Sequence, residues 1–158
     1  MQMASSGTRD GGDYRERLTP SLWALVSAAV VAPMAALVFV PLNQAVALAI
    51  GILVAVLVVA LMIAGAPVIS VRDGVLHAGR AHIDVHLLGR PATFQALEAR
   101  QARGPGLDPR DWHVIRGGID GVVRVPVDDP DDPTPSWVLS TRTPDRLAAA
   151  IRRSQMGS

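Results

Sequence analysis

Two long stretches of apolar residues constrain this chain more than any other feature. They cover residues 22–42 and 45–66, and neither contains an ionisable side chain. About 20 apolar residues are enough to cross the roughly 30 Å hydrocarbon layer of a bilayer. A core helix of a soluble protein normally keeps a polar stripe, and the apolar run of a signal peptide is shorter. The sequence therefore predicts two transmembrane helices.

The two predicted helices are joined so closely that they must form a hairpin, because only Asn43 and Gln44 separate them. Pro33 lies near the middle of the first helix and is expected to kink it, which membrane helices tolerate. Small residues recur at four-residue spacing, which predicts close packing of the two helices. These residues are Ala28, Ala32 and Ala36 in the first helix and Ala47, Gly51 and Ala55 in the second.

The placement of arginine predicts the orientation of the hairpin. Arg15 and Arg17 precede the first span, Arg72 and Arg80 follow the second, and the connection between the spans carries no charge. The positive-inside rule then places both termini in the cytoplasm of a multi-pass plasma-membrane protein. Trp23, at the start of the first span, suits an interfacial anchor. Because no ionisable residue lies inside either span, the pattern argues against a pump or channel.

Composition excludes several classes of function. The formal net charge is only +1, whereas nucleic-acid binding needs a clustered cationic surplus. All fifteen basic residues are arginine, and the chain contains no cysteine. The lack of cysteine excludes disulfides, thiolate catalysis and cysteine-ligated metal sites. We therefore expect no nucleic-acid partner and no cofactor.

After the second span the pattern changes to that of a small β-rich domain. Asp73-Gly74 predicts a tight hairpin turn, and in the strand 81–87 the side chains of Ile83, Val85 and Leu87 are expected to face inward. Thr143 and Pro144 predict the start of a C-terminal helix. The remaining predicted elements are strands at 68–72, 75–78, 112–116, 122–127 and 136–141 and a helix at 94–103.

These elements predict an α+β membrane protein, in which a transmembrane α-helical hairpin precedes a small antiparallel β-sandwich or barrel with a C-terminal helix. The predicted organisation is a disordered tail at 1–13, the hairpin at 14–66, a cytoplasmic β-rich domain at 67–154 and a short tail at 155–158. Since no flexible linker follows the second span, the β-rich domain is expected to lie close to the membrane.

Three stretches of the chain resemble the signatures of a known family. They are Tyr14-Arg15-Glu16-Arg17-Leu18, Arg103-Gly104-Pro105-Gly106-Leu107-Asp108, and the segment from Asp131 to Pro144 that contains Pro135-Ser136-Trp137 and Ser140-Thr141-Arg142. The resemblance covers roughly residues 14–152 and is to domain-of-unknown-function family 3093, bacterial membrane proteins typical of actinobacteria. Ser136 stands where that family usually has an aromatic residue. A more distant resemblance is to bacterial pleckstrin-homology-like domains that follow paired membrane helices. Neither resemblance implies an activity or a ligand.

Catalytic and metal-binding patterns are weak in this sequence. There is no nucleophile elbow, and the glycine pairs lack the Lys and Ser/Thr of a phosphate-binding loop. His82 and His86 lie too far apart along one strand to chelate one ion. His77 and His82 flank a turn and form a candidate metal or pH-sensing pair, with ordinary exposed strand histidines as the alternative. We expect a protein that is not an enzyme and holds no metal.

The segment 128–135, DDPDDPTP, contains four aspartates and three prolines in eight positions. Counted from Asp129, it fails the EF-hand pattern because Pro133 and Ser140 occupy ligand positions 5 and 12, and Thr134 replaces the Gly of position 6. Proline fixes φ and removes a backbone donor, so the segment predicts a stiff connection between two strands. We expect this loop to bind a protein partner. The candidate partner-binding residues are Asp128, Asp129, Asp131, Asp132, Trp137 and Arg142.

The leading interpretation is thus a membrane-proximal protein-interaction module, with a homo-oligomer left open. One alternative is binding of anionic lipid headgroups by a basic surface, because each arginine near such a surface contributes about 1 kcal/mol. The third interpretation is a membrane enzyme of unknown reaction. The basic surface would comprise Arg100, Arg103, Arg110 and Arg116. The candidate lipid-proximal residues are Arg15, Arg17, Trp23, Arg100 and Arg103.

Overall fold

The computed structural model describes residues 13–41 and 43–157. Within them the chain forms four α-helices and two four-stranded sheets and divides into two compact units. The helical unit comprises residues 17–67 and 116–119, and the β-rich unit comprises residues 13–16, 68–115 and 120–157. The predicted N-terminal tail, up to residue 12, lies outside the described residues, as do residues 42 and 158.

The helical unit contains both predicted spans, as α1 (Leu22–Phe39) and α2 (Gln44–Ala64). Each helix begins at a polar cap: the Ser21 hydroxyl accepts the Ala24 N–H, and the Asn43 amide oxygen accepts the Ala45 N–H at 2.8 Å. The mean hydropathy is 2.2 for α1 and 3.2 for α2, and both helices are largely exposed, with only two buried residues in each. Both helices are long and apolar enough to cross a membrane, as predicted.

The two helices pack on each other through their small residues. Ala28 and Ala32 of α1 and Ala47 and Gly51 of α2 are buried. A methyl group added at Gly51 would lie 3.0 Å from the Ala36 Cβ, so the backbones approach as closely as the predicted small-residue stripe implies. The helix α1 continues through the proline predicted to kink it.

The first sheet of the β-rich unit has the strand order β1-β2-β3-β4. Its strands are β1 (Tyr14–Arg17), β2 (Val68–Arg72), β3 (Val75–Ala78) and β4 (Ala81–Asp84). The predicted hairpin at Asp73-Gly74 is confirmed: both residues have positive φ, 50° and 78°, as a type I′ turn requires. The strand β1 was not predicted, because four residues without clear alternation give little signal.

The predicted strand 81–87 is wrong beyond Asp84. The Asp84 carboxylate accepts the His86 N–H at 2.9 Å and starts a 3-10 turn over Val85–Leu87. Val85 is fully buried as predicted, but Leu87 is exposed rather than inward. A side chain that caps the following backbone competes with continuation of the strand, and the alternating pattern cannot reveal this.

The second sheet has the order β5-β7-β8-β6. Its strands are β5 (Ala92–Gln95), β6 (Trp112–Val114), β7 (Gly121–Pro126) and β8 (Ser136–Thr141), and the short helix α3 covers Ala96–Ala102. The predicted helix at 94–103 is therefore wrong at its start, since Phe94 pairs with Val122 in the sheet. The strand β6 runs parallel to β8, which departs from the antiparallel arrangement predicted.

Helices cover the second sheet and bury its central strand. Every residue of β8 is buried. Val122 and Val138 form one cluster with residues of α3, while the C-terminal helix α4 (Pro144–Met156) contacts β7, β8 and also β2 and β5. Helix α4 buries Leu147 and Ile151 completely and extends into the segment predicted as a tail. Its Gln155 amide donates to the Val85 and Leu88 carbonyl oxygens.

Candidate functional site

The acidic segment 128–135, called here the acidic loop, connects β7 to β8 as predicted. The Val127 N–H donates to the Pro135 carbonyl oxygen at 3.0 Å, and the Asp128 N–H donates to that of Leu87 at 2.7 Å. Within the loop the Asp129 carboxylate accepts the Asp131 N–H. Hydrogen bonds from the hydroxyl and backbone N–H of Thr134 lower the pKa of Asp132 from its ordinary value. The loop is therefore fixed at its base and stabilised internally.

Two residues predicted to accompany the acidic loop do not lie on one open surface with it. Trp137 is only 4% exposed and stacks obliquely on Trp112, with ring centroids 6.1 Å apart. Burial follows from the position of Trp137 on the central strand β8, so this side chain offers no surface to a partner. Arg142 follows the opposite end of β8 from the loop, and its guanidinium lies 3.9 Å from the Glu16 carboxylate.

A buried polar network lies at the start of β8. The Asp111 carboxylate, 5% exposed, accepts hydrogen bonds of 2.6 Å from both the Ser136 hydroxyl and the Arg124 guanidinium. Arg124 also donates to the Gly106 carbonyl oxygen. Burial raises the pKa of Asp111, but the hydrogen bonds from Ser136 and Arg124 outweigh it and lower the pKa overall. The network is satisfied internally and has a structural role.

A second polar network joins β1 to the end of β8. The Glu16 carboxylate accepts hydrogen bonds from the Tyr14 hydroxyl at 2.6 Å, from the Thr141 hydroxyl, and from the Arg142 N–H at 3.0 Å. The Tyr14 hydroxyl also lies 2.9 Å from that of Thr143. Burial, followed by the hydrogen bond to Glu16, raises the pKa of Tyr14. These contacts attach β1 to the start of α4.

Beside this network the surface of the β-rich unit forms a cleft of about 780 Å³. We call it the arginine cleft, because four arginines contribute to its walls. Its lining residues are Asp13, Tyr14, Arg15, Glu16, Arg142, Thr143, Asp145, Arg146, Ala149 and Arg153. The cleft brings together Arg15, predicted to lie near lipid, and Arg142, predicted to bind a partner. Neither Arg146 nor Arg153 was predicted as a site residue.

Comparison with known families gives a match over most of the chain. Residues 13–151 match the family described as "Protein of unknown function (DUF3093)". The chain belongs to this family. Searches of the curated proteins and of the solved structures each found no match. The resemblance noted in the sequence is thus confirmed for the DUF3093 family, over almost the same residues.

The stretches that carry the DUF3093 resemblance meet in the two polar networks. Tyr14 and Glu16, from the first stretch, contact Thr141 and the Arg142 backbone from the third. Gly106, from the second stretch, is linked through Arg124 to Ser136 of the third. The Ser136 hydroxyl also donates to the buried Asp111 carboxylate. Partners 125 residues apart along the chain leave no local signal in a sequence.

The four arginines predicted to form one basic surface differ in exposure and in hydrogen-bond partners in this DUF3093 protein. Arg100 is exposed on α3 and has no side-chain partner among the described residues. Arg103 is half-buried with polar partners, and Arg116 belongs to the helical unit. Arg110 forms two hydrogen bonds of 3.2 Å with the Asp108 carboxylate, which lowers the pKa of Asp108. The predicted basic surface is therefore partly neutralised.

The remaining residues predicted to lie near lipid belong to the helical unit. Trp23 lies in the first turn of α1 and is 80% exposed. The Arg17 guanidinium donates at 2.9 Å to the Ile63 carbonyl oxygen, in the last turn of α2. The same carbonyl oxygen also accepts the Ala66 N–H at 3.2 Å, so the guanidinium adds a further donor at this helix end. Arg17 therefore has a role at the end of α2 in addition to its predicted position beside a membrane.

The predicted histidine pair is brought together on the first sheet. His77 of β3 and His82 of β4 are directly paired, and their rings stack with centroids 5.7 Å apart. No group of three or more potential metal ligands occurs in the described ranges 13–41 and 43–157. Two imidazoles fill only half of a tetrahedral coordination shell. The pair by itself therefore does not form a metal site of the structural zinc type.

Proposed function

We propose that this DUF3093 protein is a two-span protein of a bacterial plasma membrane, with both termini in the cytoplasm. Support comes from the apolar, largely exposed helices α1 and α2 and from the arginines that flank them. We further propose that the β-rich unit is a non-enzymatic, pleckstrin-homology-like module that docks a protein partner. Two sheets with a C-terminal helix favour this fold class, and the parallel pairing of β6 with β8 is a departure from it.

The observation that carries this proposal is the state of the acidic loop. None of its four carboxylates is ion-paired in the described part of the chain, whereas Asp13, Asp108 and Asp111 each pair with an arginine. A concentrated, uncompensated negative charge on a fixed loop attracts a partner with a basic patch and excludes like-charged ones. Because the loop is already ordered, less conformational entropy is lost on binding.

The test uses a photo-crosslinking amino acid in place of the exposed Pro130, in the full chain expressed in cells. We expect light to produce a discrete adduct with a protein that carries a basic surface. Changing all four loop aspartates to asparagine should abolish the adduct, because Asn keeps the acceptors for the Asp131 and Thr134 N–H groups and removes only the charge. A matched control is the double variant Asp73→Asn/Asp120→Asn, which alters two exposed carboxylates outside the loop.

The control variant is expected to give the same adduct as the parent chain. If the asparagine variant of the loop also gave this adduct undiminished, the charge of the loop would not be the recognised feature. If no position of the loop crosslinked to protein, the docking role would be wrong.

Binding of an anionic ligand by the β-rich unit is the second candidate function. Arg100 and Arg103 give it little support, because neither lines the arginine cleft. The unpaired arginines of the arginine cleft give this candidate function more support, and that support is independent of the acidic loop.

A further inference from the structure

We propose that the arginine cleft binds a phosphate group, carried either by a small soluble anion or by a lipid headgroup. This inference does not depend on the docking role proposed for the acidic loop, because the two surfaces share no residue. It rests on the charge balance of the cleft, on the spacing of the arginines on α4, and on the rigid wall opposite them.

The charges of the cleft do not cancel. The Asp13 carboxylate is paired with Arg72, which lies outside the cleft, at 3.1 Å. The Glu16 carboxylate is occupied by Tyr14, Thr141 and Arg142. The arginines left over are Arg15, Arg146 and Arg153, and their guanidinium groups have no hydrogen bond or ion pair among residues 13–41 and 43–157. Asp145 is the remaining acid, so an excess of two positive charges is uncompensated.

The spacing on helix α4 leaves room between two of these arginines. Arg146 and Arg153 are seven residues apart, which places them on one helix face about 10 Å from each other along the axis. Ala149 lies between them and also lines the cleft. Its small side chain keeps the space open, whereas a longer residue would fill it. An anion of phosphate size can therefore lie over Ala149 with an arginine at either end.

The opposite wall of the cleft is held in place by the Tyr14–Glu16–Thr141 network. Glu16 is 14% exposed and accepts three hydrogen bonds, so its carboxylate is occupied by donors of the protein. Since burial and Glu16 raise the pKa of Tyr14, the phenol stays protonated at neutral pH and adds no negative charge. A fixed wall lowers the entropic cost of placing a ligand against the arginines.

Phosphate fits these features better than a carboxylate does. The planar guanidinium donates two parallel hydrogen bonds to phosphate oxygens. A phosphate monoester carries close to two negative charges at neutral pH, which matches the excess in the cleft. A carboxylate carries one charge and two oxygens and would satisfy only part of the arginine set.

The experiment uses the one tyrosine of the chain as a reporter, because Tyr14 lines the cleft. The full chain is labelled with fluorotyrosine, placed in phosphatidylcholine nanodiscs and followed by fluorine NMR. In one arm inorganic pyrophosphate is added at constant ionic strength, with chloride as the reference. In the other arm the nanodiscs contain phosphatidic acid, whose headgroup is a phosphate monoester, and no soluble phosphate is added.

We expect a saturable shift of the Tyr14 resonance in at least one arm. A shift with pyrophosphate alone identifies a soluble ligand, and a shift with phosphatidic acid alone identifies a lipid headgroup. The variant Arg146→Gln/Arg153→Gln should weaken the response at least about tenfold, since it removes the charge-assisted hydrogen bonds of both guanidinium groups on α4. The control variant Arg80→Gln/Arg100→Gln changes two exposed arginines outside the cleft and should not weaken the response.

The proposal is overturned if neither arm shifts the resonance, or if the cleft variant and the control variant respond equally. Misfolding is not a confounding cause if the ligand-free resonance of each variant stays at the parent position. Because the adduct at the acidic loop is measured separately, failure of either proposal leaves the other open to its own test.

Discussion

At the scale of single residues, Asp111 has the clearest energetic role. It is a charged side chain that is 5% exposed, and leaving such a group without partners is costly. Arg124, Ser136 and the Asp108 N–H each donate to it. Three segments of the chain therefore meet at one carboxylate, which fixes the start of β8 and the base of the acidic loop. Ser136 is small enough to stand beside this carboxylate, where an aromatic ring would not fit without rearrangement.

The pH dependence of stability follows from the lowered pKa of Asp111. Its ordinary pKa of 3.8 is lowered in the folded state, so the folded protein binds fewer protons than the unfolded one. The stabilisation is complete above the unfolded pKa and is lost as the pH falls through the lower folded value. We expect Asp111→Asn to reduce the free energy of unfolding by about 1–3 kcal/mol at neutral pH. The variant should also lose less of its free energy of unfolding than the parent chain does when the pH falls.

Chemical unfolding of the full chain in detergent, at neutral and acidic pH, measures this effect. The matched control is Asp120→Asn, which changes an exposed carboxylate with no partner among the described residues. An Asp111→Asn variant that unfolds with the parent's pH profile and midpoint would show that the network is not stabilising.

At the scale of elements, the contact between α1 and α2 depends on small side chains. Gly51 faces Ala36 and the Ala32 carbonyl oxygen at distances of 3.0 and 3.4 Å from the position of a Cβ atom. Membrane helices gain little from the hydrophobic effect when they associate in lipid, so van der Waals contact at such close approach has to hold them together. The hairpin is thus specified by the size of a few residues more than by their polarity.

The variant Gly51→Leu should separate the two helices and lower stability by about 1–3 kcal/mol, the usual cost of overpacking. Its control is Ala49→Leu, which adds the same side chain at an exposed position of α2. Unfolding of both variants in mixed detergent micelles gives the comparison. Equal stability of the two variants would mean that Gly51 does not lie in the helix contact.

At the scale of the whole molecule, the chain enters and leaves the two apolar helices through very short segments. Residues 18–21 separate β1 from α1, and residues 65–67 separate α2 from β2. The strands β1 and β2 belong to one sheet. The β-rich unit is therefore built from chain on both sides of the hairpin.

A reporter enzyme that is active only outside the cytoplasm tests the orientation of this arrangement. We expect it to be inactive when fused after Ser158 and active when inserted between Asn43 and Gln44, because arginines flank the outer ends of the hairpin and none lies in its connection. Protein levels of the two fusions serve as the control. The reverse pattern of activity would place the β-rich unit outside the cytoplasm.

The sequence by itself determined those features whose cause is local. Uncharged apolar runs give α1 and α2, the small-residue spacing gives their contact, and Asp73-Gly74 gives a type I′ turn. The boundaries of β8 and the N-terminus of α4 also follow from short-range pattern, since Pro135 and Pro144 restrict where a strand and a helix can begin. Each of these features depends on residues within one turn or one strand.

Only the tertiary structure decided which polar residues meet. Glu16 and Thr141, or Asp111 and Ser136, are brought together by sheet pairing over long separations, and no periodicity encodes such contacts. The same holds for burial: Trp137 lies on β8, an inner strand of its sheet whose residues are all buried, whereas the segment that precedes it in the sequence is an acidic loop. The arginine cleft combines residues of β1 and α4, which lie at the two ends of the described chain. Its positive charges are therefore brought together only by folding.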